Sequence, residues 1–314
     1  MPSLEAVNLS KSYGSFKALS GLSLKLEGSK CVGYLGPNGS GKTTTLKLFT
    51  DMIGASEGRA LINGISVREN KRMALEHCGA LIESPEIYPS FTPREALSMI
   101  AEIRGIPSAD RKKRIEEAIS EVKMDEWLDK KVGKFSKGMK QRVNVASALL
   151  SEPDIVLLDE PSTGLDPRGM AEVRDIVKSL KKQNRLVFMS SHLLSEVSEV
   201  CDEVAIIDHG RLIVYDTIEN VTAKWSGDGV QELVEVGLSI PVDDSTLTEV
   251  AALKNVVSIE KIDSRHFHIR FPNGDGNQEK LLADLVALKI GVISFRSSTS
   301  ALEDSYLKLI KDTM

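Results

Sequence analysis

Residues 36–43 read GPNGSGKT, and the architecture predicted for the core follows from this motif. It satisfies the phosphate-binding pattern GxxxxGK[ST] without a gap. In such a loop, called the P-loop below, backbone N–H groups surround the phosphates, the lysine reaches the β- and γ-phosphates, and the final hydroxyl binds Mg²⁺. The motif therefore predicts a nucleoside triphosphate site. Its candidate ligands are Gly36, Pro37, Asn38, Gly39, Ser40, Gly41, Lys42, Thr43 and Thr44.

The segments on either side of the P-loop agree with this interpretation. CVGYL at 31–35 is a short apolar run, typical of a buried parallel strand. TTTLKLFTDMI at 43–53 places Leu46, Phe49 and Ile53 at helical spacing. The alternative is a glycine turn without a ligand, and the order strand, loop, helix argues against it.

A second apolar run, IVLLDEP at 155–161, ends in two carboxylates. Asp159 stands at the carboxyl end of a predicted buried strand, where it can hold Mg²⁺ through its water shell. Glu160 should point to the other side of the pleat and can polarise the attacking water. The alternative is a solvated turn closed by Pro161, which the upstream P-loop disfavours.

Three further segments, in a fixed order, point to a family. They are FSKGMKQRVNVASALL at 135–150, STGLDP at 162–167 and RLVFMSSH at 185–192. Together with the P-loop and the acidic pair, they resemble the nucleotide-binding subunit of an ABC transporter over about residues 1–220. The resemblance implies an ATP-hydrolysing α/β protein in which a P-loop core, with a parallel sheet flanked by helices, carries antiparallel β and helical subdomains.

The resemblance also assigns roles to single residues. Ser136 and Gly138 lie in the signature segment, which in this family binds the γ-phosphate of ATP held by the other subunit, so that two subunits pair head-to-tail. Asp166 belongs to the D-loop, His192 is the switch histidine that contacts the γ-phosphate, and Tyr13 stacks on adenine. The predicted catalytic residues are Glu160, His192 and Lys42.

Each of these residues also has a structural alternative. A histidine at a strand end is commonly hydrogen-bonded for structure alone, and Tyr13 could be a half-buried strand aromatic. Ser136 and Gly138 could cap the helix through 141–150. That interpretation is compatible with an anion site, since a capped helix N-terminus binds anions.

Two departures from the family pattern narrow the prediction. Glu83 replaces the usual Q-loop glutamine and resembles the E-loop of exporters of lantibiotics, bacitracin and similar peptides. Glu83 is therefore a candidate ligand of both nucleotide and Mg²⁺, the alternative being a surface glutamate. Lys137 and Met139 differ from the common LSGGQ signature, which bears on dimer strength and turnover.

Composition excludes some partners. The 314 residues carry 40 basic and 45 acidic side chains, a formal net charge of −5, so no general attraction to nucleic acid is expected. Cys31, Cys78 and Cys201 have neither metal-binding spacing nor an even framework, and they fall in or beside apolar segments. We expect buried thiols in a reducing cytosol.

No stretch approaches eighteen consecutive apolar residues, and the N-terminus lacks a signal-peptide core. The expected location is the cytoplasm, peripheral on the inner face of the cell membrane. Transport would then require a separate membrane-spanning permease subunit.

The organisation predicted from the sequence has two domains. Residues 1–223 form the ATPase domain, with a helical subdomain at about 84–145. After a glycine-marked break at 224–230, residues 230–314 follow the order βαββαβ of a small α+β ferredoxin-like domain. SALEDSYLKLIKD at 300–312 should be a closing helix. His266 and His268 are at strand spacing but lack a third ligand for a metal.

The sequence thus predicts the ATP-hydrolysing subunit of an ABC exporter for a drug, peptide antibiotic or lipid-like substrate. One alternative is a soluble ABC ATPase in repair or translation, although such chains usually carry two cassettes or a long coiled-coil insertion. Another is an ATP-gated regulatory module with slow turnover. The departure of Lys137 from the signature pattern is the reason to consider it.

Overall fold

A computed structural model describes residues 1–83, 85–225, 231–272, 274 and 276–297. The chain divides into two compact units, Met1–Thr217 and Ile218–Met314. Within the described ranges, none of the helices has the length and apolar character needed to span a membrane.

The first unit combines two sheets with seven helices among its described residues. Two 3₁₀ turns, Asp125–Trp127 and Val132–Lys134, precede its fifth helix. Its elements in chain order are β1 (Ser3–Tyr13), β2 (Phe16–Glu27), β3 (Cys31–Leu35), α1 (Lys42–Phe49), β4 (Glu57–Ile62), β5 (Ile65–Ser66), α2 (Lys71–Leu75), β6 (Cys78–Leu81), α3 (Pro93–Ile103), α4 (Ser108–Glu121), α5 (Lys137–Leu149), β7 (Ile155–Asp159), α6 (Pro167–Lys182), β8 (Leu186–Ser191), α7 (Leu194–Val200), β9 (Glu203–Asp208) and β10 (Arg211–Thr217).

The central sheet has six strands in the order β10-β9-β3-β8-β7-β6. All of its pairs are parallel except β10 with β9. Every residue of β3 and β7 is buried, because a parallel sheet is covered on both faces and its strands are continuous apolar runs. Since β8 lies between β3 and β7, the carboxyl ends of these three strands meet at one edge. Ligands of open α/β sheets bind at such an edge.

The other sheet is antiparallel, in the order β2-β1-β4-β5. Its first two strands form a hairpin, with Tyr13 opposite Phe16 at its tip. Leucines of β1 and β2 pack with Tyr34, Phe49 and Phe188 in one apolar core between the two sheets. Tyr34 and Phe188 ring centroids are 5.0 Å apart. This core fixes the antiparallel sheet beside the central one.

A mostly helical segment covers the opposite side of the central sheet. Its first helix, α3, begins where Thr92 and Glu95 form a capping box: Thr92 Oγ1 accepts from Glu95 N, and Glu95 Oε2 accepts from Thr92 N. Pro93 occupies the first helical position, where no backbone donor is needed. Apolar side chains of α3, α4, α5 and α6 pack with β7 and β8 in a second core.

Two local expectations were wrong. The helix after the P-loop was expected to reach Ile53, but α1 ends at Phe49, and Asp51 has a left-handed φ of 51° that interrupts it. Glu160 was expected on the pleat of β7, yet the strand ends at Asp159 and Glu160 has a φ of 43°. Its side chain direction is therefore set by a turn and not by strand alternation.

The second unit, considered by itself, is an antiparallel sheet with helices. Its elements are α8 (Ile218–Trp225), β11 (Gln231–Leu238), α9 (Asp244–Ala251), β12 (Ser258–Lys261), β13 (His266–Pro272), α10 (Asn277–Ala287) and β14 (Val292–Ser297). The strand order β12-β13-β11-β14 and the sequence βαββαβ are those of a ferredoxin-like fold. Val234, Phe267 and Leu281 belong to its core. The helix expected at 300–312 lies outside the described residues.

Candidate nucleotide site

The P-loop connects the central strand β3 to α1, and its glycines are required by its shape. Gly39 and Gly41 have φ of 84° and 107°, where other residues are strained. A Cβ at Gly36 would collide with the carbonyl oxygen of Ile207. At Gly39, by contrast, a Cβ would meet no other atom within 4 Å, so this turn of the loop leaves room for a phosphate.

Lys42 lies under this loop with only 4% of its surface exposed. Its Nζ donates to the carbonyl oxygens of Gly36 at 2.8 Å and Pro37 at 3.1 Å. The same Nζ is 3.3 Å from Oε1 of Glu160. The cation is thus held between the P-loop and the end of β7, within the predicted phosphate site.

Asp159 receives two hydrogen bonds on one oxygen. Ser190 Oγ donates to Oδ1 at 2.6 Å, and Thr43 Oγ1 donates to the same atom at 3.2 Å. Ser190 Oγ also accepts from the backbone N of Glu160 at 2.9 Å. The sequence reasoning missed Ser190, although its place two residues before His192, at the end of an apolar strand, could have indicated it.

Glu160 is bound on both carboxylate oxygens. Oε2 accepts from Thr163 Oγ1 at 2.8 Å and from Nδ1 of His192 at 3.0 Å. Burial raises the pKa of this carboxyl. The hydrogen bond from Thr163 and the nearby Lys42 and His192 outweigh burial, so the pKa lies below the ordinary 4.5. Glu160 is therefore an ionised acceptor at neutral pH.

The donor set fits a triphosphate with Mg²⁺. Ser40 Oγ, in a P-loop residue 2% exposed, has no hydrogen-bond partner in the described part of the chain. A buried polar atom without a partner is costly, which a phosphate oxygen would relieve. Hydroxyl and carboxylate oxygens, as on Thr43 and Asp159, are the ligands that Mg²⁺ prefers.

The signature and D-loop residues lie together but outside this hydrogen-bonded cluster. Ser136 Oγ caps α5 by accepting from Met139 N at 3.2 Å, and Asp166 Oδ1 caps α6 by accepting from Gly169 N at 2.8 Å. A Cβ on Gly138 would be 3.3 Å from the Cα of Gly169, so the two helix N-termini are side by side. Among the described contacts, none joins these caps to Lys42 or Glu160.

Tyr13 and Glu83 also stand apart from the cluster. Tyr13 is 50% exposed, and Lys11 Nζ lies 5.0 Å from its ring centroid. Glu83, with a φ of 56°, pairs with Lys47 at 2.6 Å and has 67% of its side chain exposed. The described contacts of Glu83 include none with Thr43 or Asp159, the other two candidate Mg²⁺ ligands.

The site defines a P-loop nucleoside triphosphatase. It combines a glycine loop after the central parallel strand, a buried lysine, and a threonine that is hydrogen-bonded to an aspartate on a nearby strand. The family model described as "ABC transporter" matches residues 19–163, and a model for an "AAA domain, putative AbiEii toxin, Type IV TA system" matches 131–198. The chain is 35% identical to a bacitracin transport ATP-binding protein of Bacillus licheniformis, over 98% of this chain and 97% of that protein.

Two further comparisons agree. The chain is 27% identical to a linearmycin resistance ATP-binding protein of Bacillus subtilis, over 99% of each. A solved ATP-binding subunit of an ABC transporter superposes with a TM-score of 0.62 at 27% identity, covering 71% of this chain and 93% of that one. The chain belongs to the ABC transporter family, as an ATP-binding subunit that hydrolyses ATP. The family predicted from the sequence motifs is confirmed.

Proposed function

We propose that this chain powers an exporter of peptide antibiotics, drugs or lipid-like compounds through a separate membrane-spanning permease. It would act in the cytoplasm, on the inner face of the cell membrane. The observation that carries the proposal is the extent of the similarity. The likeness to the bacitracin and linearmycin proteins runs through 98% and 99% of the chain, so it includes the second unit as well as the ATPase core.

In this proposal the P-loop residues bind the phosphates and Tyr13 stacks on the adenine. Thr43 and Asp159 hold Mg²⁺, with Glu83 as a further ligand. The ion supplies positive charge that stabilises the phosphate oxygens during transfer. Ser190 donates to Oδ1 of Asp159 and so fixes this carboxylate beside Thr43.

Glu160 then acts as the base that accepts a proton from the attacking water. His192 fixes this carboxylate through Nδ1, so its other ring nitrogen can reach the γ-phosphate. Lys42, whose Nζ is 3.3 Å from Oε1 of Glu160, would exchange the carboxylate for the phosphates. This exchange couples nucleotide binding to the release of one oxygen of the base.

We further propose a head-to-tail dimer of ATPase subunits. The N-terminus of α5 is capped by the exposed Ser136, and a helix N-terminus of this kind binds anions. Among the described contacts, none joins this cap to Lys42 of the same subunit. Asp166 caps the adjacent helix, so the same surface carries both motifs. A nucleotide bound between two subunits would favour the closed dimer, and its products the open one.

A groove in the first unit is the proposed docking site for a cytoplasmic segment of the permease. It encloses about 930 Å³ between α2, the start of β6 and the ends of α3 and α5. Its lining includes the apolar side chains of Leu75, Ile106 and Leu150. The charged side chains of the lining are four cations and two carboxylates: Lys71, Arg72, Arg104, Arg114, Glu76 and Asp110. This lining suits an amphipathic helix with acidic side chains.

The docking proposal is tested by charge reversal. Arg72→Glu, at an exposed position of the groove, should abolish co-purification with the proposed permease. Lys178→Glu, at an exposed position outside the groove, is the matched control. If Arg72→Glu leaves co-purification unchanged, the permease docks elsewhere.

The export function is tested in a susceptible bacterium that expresses this chain with the permease. We expect a higher inhibitory concentration of bacitracin or linearmycin, and no such rise with Glu160→Gln. Protection that survives Glu160→Gln would be independent of ATP hydrolysis. If the cells gain resistance to neither compound, transport is measured directly in inverted membrane vesicles. ATP-dependent accumulation of bacitracin or linearmycin in the vesicles shows whether either compound is transported.

A further inference from the structure

The turn after β7 contains a side chain to which the proposed mechanism gives no role. Thr163 Oγ1 donates to Oε2 of Glu160 at 2.8 Å. Thr163 N donates to the carbonyl oxygen of Glu160 at 3.1 Å, closing a turn with Pro161 in its second position. Because the Thr163 side chain is exposed, its contribution to the core is small. Its hydroxyl instead contacts a carboxylate.

The two oxygens of that carboxylate have different surroundings. Oε2 accepts two hydrogen bonds, from Thr163 and from Nδ1 of His192 at 3.0 Å. Oε1 faces Lys42, whose Nζ is 3.3 Å away. A carboxylate oxygen has about two lone-pair sites, so Oε2 is saturated. Once Lys42 turns to a phosphate, Oε1 is the oxygen with a free lone pair.

The backbone also restrains this carboxylate. Glu160 has a φ of 43°, a conformation that costs energy outside glycine, and its N–H is bound by Ser190 Oγ at 2.9 Å. With the backbone N and O of Glu160 both bonded, the remaining freedom lies in its side-chain torsions. Thr163 and His192 limit those torsions from the Oε2 side.

We propose that Thr163 is a positioning residue that, with His192, holds Oε2 of Glu160 and leaves Oε1 as the proton acceptor. The inference rests on the proposed role of Glu160 as base. In the step, one proton of water moves to Oε1 while the water oxygen bonds to the γ-phosphorus. The bond from that phosphorus to the β,γ-bridging oxygen breaks, and the electron pair leaves with ADP.

The experiment compares Thr163→Val, which keeps the shape and removes the hydroxyl, with Thr163→Ser, which keeps the hydroxyl. The measurements are kcat and KM for ATP with Mg²⁺ at one fixed pH. For Thr163→Val we expect kcat to fall about tenfold with KM nearly unchanged, as loss of one hydrogen bond to a charged group allows.

Thr163→Ser should keep the wild-type kcat, because it keeps the hydroxyl that holds Oε2. Thr163→Ala repeats the test without the bulk of valine, and Thr248→Val, an exposed threonine of α9, is the control for the substitution type. A wild-type kcat in Thr163→Val would overturn the inference, and so would an equal loss of kcat in Thr163→Ser. Wild-type turnover in Glu160→Gln would instead show that Glu160 is not the base. That result would contradict the proposed function, and it is distinguishable from a failure of the Thr163 variants alone.

Discussion

Nζ of Lys42 lies 3.3 Å from Oε1 of Glu160, so the phosphate-binding cation and the proposed base neutralise each other in this structure. Lys42 is also held by two P-loop carbonyls, and Glu160 by Thr163 and His192. A phosphate that attracts Lys42 must compete with a carboxylate. We therefore expect nucleotide binding to draw Lys42 away from Oε1 of Glu160.

Glu160→Gln should reduce ATP hydrolysis at least about 100-fold, because an amide cannot accept the proton of water. ATP affinity should be unchanged or higher, since Lys42 loses a competing charge. Hydrolysis is measured by phosphate release and affinity by equilibrium binding. Glu126→Gln, an exposed carboxylate outside the site, is the control. Wild-type turnover in Glu160→Gln would exclude Glu160 as the base.

Lys42→Met should weaken ATP binding about 10- to 100-fold, since it removes a charge-assisted contact with the phosphates. The methionine keeps most of the buried stem, so folding should be preserved. Calorimetric titration with ATP and Mg²⁺ measures the change, with Lys182→Met on the exposed end of α6 as control. Equal affinity in both variants would mean that Lys42 does not reach the phosphates.

Ser136→Arg should suppress the ATP-dependent dimer while leaving the ATP affinity of the monomer nearly unchanged, because the signature is proposed to act on the other subunit's nucleotide. The variant also loses a helix cap, a cost of about 1 kcal/mol, so its unfolding midpoint must be checked. Size-exclusion chromatography with ATP in a Glu160→Gln background measures the dimer. Ser108→Arg, at the start of α4, is the control. If monomer affinity falls equally, the segment serves its own subunit.

Glu83→Ala should reduce the ATPase activity of the isolated chain modestly and permease-dependent transport much further. Glu83 follows β6 and pairs with Lys47 on the helix after the P-loop, so it links the site to the segment that follows. Both rates are measured on one preparation with the permease reconstituted. Parallel losses would assign Glu83 to the chemistry, and unchanged transport would leave it a surface glutamate.

The N-terminal cap of α9, in the second unit, predicts that the stability of this helix depends on pH. Asp243 Oδ1 accepts from Thr246 N at 2.8 Å and Ser245 Oγ at 2.9 Å, and hydrogen bonding from Thr246 first and Ser245 next lowers the pKa of Asp243 to about 2 from 3.8. A lowered pKa stabilises the fold above the unfolded value. Protection of the α9 amides from hydrogen exchange should therefore fall as pH drops from 3.8 toward 2.

Asp243→Asn keeps the cap but cannot titrate, so its protection should vary less over the same pH interval. Asp244→Asn, whose side chain is exposed in the first turn of the same helix, should behave as wild type. If Asp243→Asn follows the wild-type curve, another group controls the acid sensitivity of α9.

Much of the fold could be predicted because its determinants are local. The run CVGYL at 31–35 and the four apolar residues at 155–158 are typical of strands covered on both faces, and both strands are fully buried. The ferredoxin-like order of the second unit follows from alternating periodicities in the same way. The two local errors, the early end of α1 and the turn at Glu160, come from left-handed residues, Asp51 and Glu160, that periodicity does not reveal.

Contacts between residues far apart in the sequence were harder to predict from the sequence. The three cysteines looked scattered, yet Sγ of Cys31 and Sγ of Cys201 are 3.4 Å apart although 170 residues separate them. Ser190, missed in the sequence, joins Asp159 and Glu160 from another strand. The candidate Mg²⁺ ligand Glu83 instead pairs with Lys47. Nothing in the spacing of these residues indicates which side chains meet.

The sequence by itself determined that this chain has a P-loop, which strands are buried and to which family it belongs, because motif spacing and apolar periodicity are properties of neighbouring residues. The tertiary structure alone decided which donors hold each oxygen of Glu160. Lys42 follows β3 and His192 follows β8, and both meet this carboxylate because β8 lies between β3 and β7, whereas Thr163 belongs to the same turn as Glu160. Strand order depends on how whole layers pack, and that free energy is spread over the entire core.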